Sequence, residues 1–184
     1  FDTHGKGRNI KYRNCVASDN CGQAFSVHDT TSAVYENCMG FRNASSGITN
    51  VNKSYSLFRN CVISDNTFES GILGLEDSTT VFESCVITGN KPFEQIWQYK
   101  NSVLIFVNCY ISPEDKNRGI LNLERGRAIF DRCTFTNALF LASTNAKSSG
   151  ELIITNSIIK DVRKIVYLHK EFPGKIVMKN NIIS

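Results

Sequence analysis

Short apolar segments alternate with polar turns along the whole chain. One four-residue pattern marks each repeat: an aromatic residue, any residue, Asn and Cys, with Phe58-Arg59-Asn60-Cys61 as the clearest copy. The cysteine position recurs at Cys15, Cys38, Cys61, Cys85, Cys109 and Cys133 and continues as Ser157 and Asn181. Its spacing hardly varies from one copy to the next, and so constant a period over a whole chain is typical of a repeat protein.

The positions around the cysteine keep the same register. The residue three before it is aromatic in the first six copies, and the residue directly before it is Asn in most copies. The apolar segments on either side are rich in β-branched and aromatic residues and have the length of strands. The Asn position predicts a tight turn between two strands, because Asn tolerates the left-handed conformation and stacked Asn amides can hydrogen-bond along the axis.

A further apolar segment precedes each copy, as in Ser70-Gly71-Ile72-Leu73-Gly74-Leu75. Each repeat therefore predicts three short strands separated by turns. Stacked repeats of this kind add one strand to each of three parallel sheets. The predicted fold class is all-β: a single-stranded parallel β-helix, or β-solenoid, of about eight coils.

The repeats resemble those of the right-handed parallel β-helix superfamily, which includes pectate lyases, phage tailspikes and many surface proteins. The G-I-x-x-L and F-x-N-C copies are most similar to the short repeats of polymorphic outer-membrane-type adhesins. The resemblance covers nearly the whole chain and implies a right-handed coil, which the general crossover rule also favours. It leaves the function open, because many unrelated activities share this fold.

The chain has 184 residues, and we expect residues 1–184 to form a single β-helix domain. The last two coils depart from the pattern, with longer turns at 143–150 and 169–175. Neither end carries the polar cap that a solenoid needs. We therefore expect a fragment of a longer protein, or ends covered by flanking segments of the same chain.

Composition excludes several classes of function. The net charge is +4 and the Lys and Arg residues are scattered, so no nucleic-acid partner is predicted, and no apolar run is long enough to span a bilayer. His4, His28 and His169 follow no ligand spacing and no cysteines form a C-x-x-C pair, so neither a metal site nor a cofactor is predicted. The repeated cysteines are expected to be free, inward-facing thiols, with Cys21 outside their column.

The family resemblance suggests where a polysaccharide-active site would lie. A hydrolase needs two carboxylates a few ångströms apart. The position nine residues before each cysteine supplies the candidates Glu76, Lys100 and Glu124. The two carboxylates would lie about 9.6 Å apart with Lys100 between them. Since Lys100 would neutralise both, the alternative is a charge-complementary ladder at the strand ends.

Two other sets of residues suggest binding surfaces. Trp97 and Tyr99 would form an aromatic platform for a sugar ring, unless Trp97 belongs to the core. An aliphatic residue recurs directly before the aromatic position, and strand alternation turns it outward unless a bend brings both residues into the core. An outward column predicts an apolar stripe covered by a partner. The stripe comprises Leu57, Val81, Ile105, Ile129 and Ile153.

The leading functional hypothesis is a non-catalytic segment of a cell-surface or secreted protein, which acts in adhesion or in ligand or glycan binding. Its partner would be a polysaccharide or a protein lying along one sheet face. Two alternatives remain: a fragment of a polysaccharide lyase or hydrolase, and a structural spike or assembly segment.

Overall fold

The computed structural model of the chain describes residues 1–5, 7–67, 70–91, 93–145, 148–167 and 172–184. Within these ranges the regular elements are strands joined by turns. They are, in chain order, β1 (Asp2–Thr3), β2 (Ile10–Arg13), β3 (Val16–Ser18), β4 (Phe25–Val27), β5 (Ser32–Glu36), β6 (Met39–Phe41), β7 (Ile48–Asn50), β8 (Tyr55–Arg59), β9 (Val62–Ser64), β10 (Ile72–Gly74), β11 (Thr79–Glu83), β12 (Val86–Thr88), β13 (Glu94–Gln98), β14 (Ser102–Val107), β15 (Tyr110–Ser112), β16 (Gly119–Leu123), β17 (Gly126–Asp131), β18 (Thr134–Ser143), β19 (Glu151–Thr155), β20 (Ile158–Tyr167), β21 (Lys175–Lys179) and β22 (Ile182–Ile183).

The strands stack into two parallel sheets. The first sheet has the order β2-β5-β8-β11-β14-β17-β19-β21. The second sheet has two arms: arm A is β1-β4-β7-β10-β13-β16, and arm B is β3-β6-β9-β12-β15. Strands β18 and β20 span both arms, and β22 pairs with β20. The described strands thus form a parallel β-solenoid of about seven turns, in agreement with the predicted fold class and close to the eight coils expected.

The aromatic column fills the core. Its residues pair in register from strand to strand of the first sheet, and five of them are completely buried. Successive rings lie nearly parallel with centroids 4.5–5.3 Å apart. The buried members are Tyr35, Phe58, Phe82, Phe106 and Phe130. Alternate residues of these strands therefore point away from the core.

The cysteine column is buried beside the rings. Cys38, Cys61, Cys85, Cys109 and Cys133 are at most 2% exposed, whereas Cys15 is half-buried, and all are free thiols. Each buried thiol donates weakly to backbone carbonyls, as Cys61 Sγ does to Tyr35 O at 3.5 Å. Cys21 lies outside the column and is exposed, as predicted.

The residue before each cysteine adopts the left-handed conformation that the sequence predicted. Its φ lies between 52° and 56° in all eight copies, including those occupied by Ser84 and Arg132. Some of these exposed amides also bond along the axis, as Asn37 Nδ2 does to Asn14 Oδ1 at 3.3 Å.

A second Asn ladder, which the sequence analysis did not identify, lies inside the turn between the two arms. Asn43, Asn66 and Asn90 are completely buried. Asn43 Nδ2 donates to Asn66 Oδ1 at 2.9 Å, and Asn66 Nδ2 donates to Asn90 Oδ1 at 2.8 Å. Exposed Asn20 begins the ladder, and Gln95 ends it by accepting from the Asn90 backbone at 3.1 Å. The ladder thus satisfies amides that the turn removes from water.

The late coils differ from the predicted three strands per coil. Six residues separate β15 from β16, but none interrupts β18, which runs from one arm into the other. Seven residues, 144–150, then separate β18 from β19, whereas only two residues separate β16 from β17 in the coil before. The turn has moved from one corner to another, so the coil keeps its length while two of its strands merge. Of the predicted turn at 169–175, residues 169–171 lie outside the described residues, and β21 begins at Lys175.

Candidate functional site

Trp97 and Tyr99 lie together on the outward face of arm A. Strand pairing places Trp97 next to Leu73 of the preceding coil, and Tyr99 follows the same strand, with its N–H bonded to Gly74 O at 3.0 Å. Trp97 is 37% exposed, so it is not a core residue. Leu73, Leu75, Trp97 and Tyr99 line an open pocket of about 280 Å³. The pocket thus brings two aromatic and two aliphatic side chains together on this face, and their use as a platform for a sugar ring stays a prediction.

Polar groups border this aromatic pocket. Lys100 Nζ lies 5.4 Å from the centroid of the Tyr99 ring. Asn122 pairs in register with Trp97, and its Oδ1 is shielded from solvent with no hydrogen-bond partner among the described residues. Such an unsatisfied acceptor is unusual, because buried polar atoms nearly always have a partner.

A second pocket lies further along the same face. It has a volume of about 470 Å³, and its lining includes Phe93, Glu94, Phe140, Lys164 and Tyr167. Burial raises the pKa of the Glu94 carboxyl above its usual range, even though Ser143 Oγ donates to Glu94 Oε1 at 3.2 Å. Sequence reasoning missed this site, because β13 and the two long strands β18 and β20 bring together residues that no single repeat contains.

The three catalytic candidates do not form the predicted column. Lys100 Nζ donates to Glu76 Oε1 at 2.8 Å, as expected for neighbours on successive coils. The hydrogen bond that the carbonyl of Lys100 accepts in one coil is accepted by the carbonyl of Arg125 in the next coil. The residue in register with Lys100 is therefore Arg125 rather than Glu124. The predicted place of Glu124 was wrong by one residue.

An extra residue in one coil causes this shift. Ile72 pairs with Ile96, but Ile96 pairs with Leu121 instead of with Ile120. Glu124 consequently lies in the row that contains Tyr99, with its N–H bonded to Gln98 O at 3.1 Å. The pKa of Lys100 is raised, first by the hydrogen bond from its ammonium to Glu76 and least by the more distant charge of Glu124.

The turn residues around Glu76 line a shallow groove of about 840 Å³. Its register positions carry Asp29, Asn52, Glu76, Lys100 and Arg125. Glu76 and Lys100 have opposite charges, as the charge-ladder interpretation expects, but Lys100 lies next to Arg125, so opposite charges do not alternate along the whole column. The other carboxylate of this column, Asp29, lies two coils from Glu76, about 9.6 Å along the axis, with Asn52 between them.

The aliphatic stripe lies on the outward face of the first sheet. Its residues pair in register on successive strands, and the residues beside them in sequence are the buried aromatics. Val81, Ile105, Ile129 and Ile153 are partly exposed, whereas Leu57 is 8% exposed. The strands therefore do not bend to bring both columns into the core.

A different column of charged residues, which begins with Arg13, Glu36, Arg59 and Glu83, lies beside the stripe on the first sheet. Arg13 Nε lies 2.6 Å from Glu36 Oε2, and Arg59 Nε lies 2.6 Å from Glu83 Oε2. Arg59 also lies 3.7 Å from Glu36. Exposed pairs of this kind contribute little stability each, but they keep like charges apart on adjacent parallel strands.

The structure also brings together Asp2, His4 and His28, which the sequence analysis did not connect. Their ligand atoms all lie within 4.8 Å of one another, the one such group of three that the described residues contain. The signal was present in the sequence, because His4 and His28 are separated by one coil. His169 lies outside the described residues.

Comparison with known proteins identifies the fold. The family model for right-handed β-helix regions matches residues 2–109 and 71–184. No curated protein matches the chain. Among solved structures, the trypsin-treated form of QnrB1, a plasmid-mediated fluoroquinolone resistance protein, is similar with 9% identity and a TM-score of 0.22, covering 88% of this chain and 92% of that one. The described residues form no apolar helix of membrane-spanning length.

Proposed function

This chain belongs to the right-handed β-helix family, and we propose that it is a non-catalytic segment of a cell-surface or secreted protein that binds carbohydrate on the outward face of arm A. The binding would serve adhesion. The arrangement of Trp97 and Tyr99 carries the proposal. These residues leave two aromatic rings partly open to solvent on a rigid sheet.

The chemistry of the aromatic pocket suits a sugar. Aromatic side chains with a polar tip bind ligands that are apolar on one side and polar on the other, and small-molecule sites combine an apolar lining with a few placed polar groups. Leu73 and Leu75 provide the apolar floor. Lys100 stands at the border beside the Tyr99 ring, where its ammonium can donate to a sugar hydroxyl or carboxylate.

The second pocket extends the same face. Phe140 packs against both Phe93 and Tyr167, with ring centroids 5.6 and 6.3 Å apart. Ser143 pairs in register with Asn122, which links the two pockets across the sheet. A chain of several sugar units is therefore a better match to this face than a single sugar.

Titration with oligosaccharides tests the proposal directly. Trp97 is the one tryptophan of the chain, so its fluorescence reports on this pocket alone. We expect a saturable change in emission with a binding oligosaccharide. We expect Tyr99→Ala to weaken binding at least tenfold, measured by calorimetry, while the matched control Tyr110→Ala, which removes a ring that is 41% exposed on arm B, leaves it unchanged.

A catalytic function is the second possibility to exclude. Glu94 has the raised pKa of a general acid, but it is the one carboxylate among the described residues that line the second pocket. Pectin, alginate and related glycans should be incubated with the protein, with and without calcium. Release of reducing or unsaturated ends would replace the binding proposal with an enzyme. Absence of any glycan binding across a broad array would reject it altogether.

A further inference from the structure

The N-terminal end of arm A carries a cluster of metal-ligating side chains. Strand β1 pairs with β4, with Asp2 beside Ser26 and Thr3 beside Val27. Thr3 is buried, so Asp2 and His4 both point outward. The same pairing stacks His4 on His28, with ring centroids 4.4 Å apart and planes inclined by 15°.

Asp2 lies at the edge of the two stacked imidazoles. Its Oδ2 lies 2.6 Å from His4 Nε2, and its Oδ1 lies 3.7 Å from His28 Nε2. Ser26 Oγ donates to the same carboxylate. The carboxylate thus has one ring nitrogen of each histidine within 4 Å of its oxygens.

We propose that Asp2, His4 and His28 bind a divalent transition-metal ion, with zinc as the representative. Two imidazole nitrogens and one carboxylate oxygen suit zinc and its neighbours better than calcium or magnesium, which prefer sites made entirely of oxygen. Three protein ligands leave at least one coordination position for water or for a group of a bound molecule.

The distances fit such an ion after small side-chain movements. Ligand atoms around tetrahedral zinc lie about 3.3 Å apart when each bond is about 2.0–2.1 Å. The ligand atoms here lie within 4.8 Å of one another, and the side chains of His4 and Asp2 are more than half exposed. Rotation of the rings from their parallel stack would direct both nitrogens to one point.

Asp29 lies next to His4, beside the three proposed ligands. Its Oδ2 lies 3.7 Å from His4 Nδ1, on the opposite side of the ring from Asp2. A metal-bound imidazole usually donates its other N–H to a carboxylate or carbonyl, which fixes its orientation. Asp29 is placed to receive that bond when Nε2 of His4 holds the ion. The metal site does not depend on the proposed carbohydrate binding, since His28 lies three strands and Asp2 four strands from Trp97, about 14 and 19 Å.

Calorimetry with zinc and visible absorption with cobalt test the proposal on protein free of any histidine tag. We expect one zinc ion per chain and a cobalt spectrum of low, non-octahedral symmetry. His4→Ala, His28→Ala and Asp2→Asn should each weaken zinc binding at least tenfold. Asp77→Asn should not, because it changes a carboxylate of the neighbouring groove that has no imidazole beside it.

A measurement on the unaltered protein guards against variants that fail to fold. Zinc should raise its melting temperature in proportion to the logarithm of the free zinc concentration above the dissociation constant. No saturable zinc binding by the unaltered protein would overturn the proposal. Equal binding by folded His28→Ala would overturn it as well, because the ion would then be held elsewhere.

Discussion

Asn66 Oδ1 accepts two hydrogen bonds from Asn43, one from its backbone N–H at 3.1 Å and one from its side-chain amide at 2.9 Å. The two residues are 23 positions apart, so this contact is made between coils rather than within one. Each buried Asn thus closes the turn of the coil before it.

Replacing Asn66 by Ala should therefore be strongly destabilising. The substitution removes the acceptor of the buried Asn43 backbone N–H and one of the two donors to Asn90 Oδ1, and we expect a loss of about 3 kcal/mol in the free energy of unfolding. Denaturant unfolding measures it. Asn20→Ala, at the exposed end of the same ladder, should cost about 1 kcal/mol or less. Equal losses in the two variants would show that the ladder does not act through burial.

The cysteine column should resist thiol reagents in the native protein. Burial raises the pKa of the Cys38 thiol to about 11, so almost no reactive thiolate forms at neutral pH. We expect rapid labelling of Cys21, slower labelling of half-buried Cys15 and protection of the other five. Mass spectrometry of the labelled peptides measures this. Rapid labelling of Cys85 would contradict the inward assignment.

A charge within this column should not be tolerated. Cys85→Asp would place a carboxylate at a position that is 1% exposed, and we expect a loss of several kcal/mol, about 3 or more. Cys21→Asp, at the exposed position, is the control and should change stability by about 0.5 kcal/mol or less. Thermal melts of the two variants give the comparison.

Glu94 should make stability depend on pH. A folded-state pKa above the unfolded value means that the folded protein holds this proton more tightly, so stability falls as pH rises from the unfolded pKa through the folded one. Glu94→Gln should therefore raise stability at pH 7, and the gain should disappear as pH falls below about 4, under the ordinary Glu pKa. A gain that persists unchanged at low pH would mean that packing, rather than ionisation, is responsible.

The apolar stripe on the first sheet leads to a prediction about assembly. We propose that a protein partner, or another copy of the chain, covers it. Replacing Val81 and Ile105 together by Lys should abolish that association, with a change of about 0.5 kcal/mol or less per site in the isolated domain. Sedimentation and thermal melts decide. Phe82→Lys is the inward control and should unfold the protein, because that ring is completely buried. Unfolding by the outward pair would show that these residues stabilise the core.

The sequence predicted the features that repeat in every coil. Each residue of the aromatic column has its equivalent one period away, so the repeats can be aligned with one another. The alternation of side chains along each strand then assigns the inward and outward faces. The inward Phe82 and the outward Val81 follow from this argument alone. The left-handed turn at Asn60 does as well, because the residue type matches the conformation.

The features that the sequence did not predict arise where coils differ or meet. One added residue between Ile96 and Leu121 moves Glu124 out of the column of Lys100. The apolar pattern of neither strand reveals this added residue. His4 and His28 pair because residues one coil apart stack along the axis. The sequence predictions used this stacking for the repeated columns and not for the histidines. The pocket around Glu94 depends on the merged strand β18, which removes a turn that earlier coils contain.

The constant offset between paired strands has a consequence for folding. Each strand finds its partner one coil away along the chain, however long the solenoid is. The entropy lost in closing each coil is therefore nearly the same from one end to the other, because it depends on loop length only logarithmically. Once two coils have paired, each further coil adds to a ready template. We therefore expect assembly to be a nucleated growth whose elementary step does not become slower as the chain lengthens.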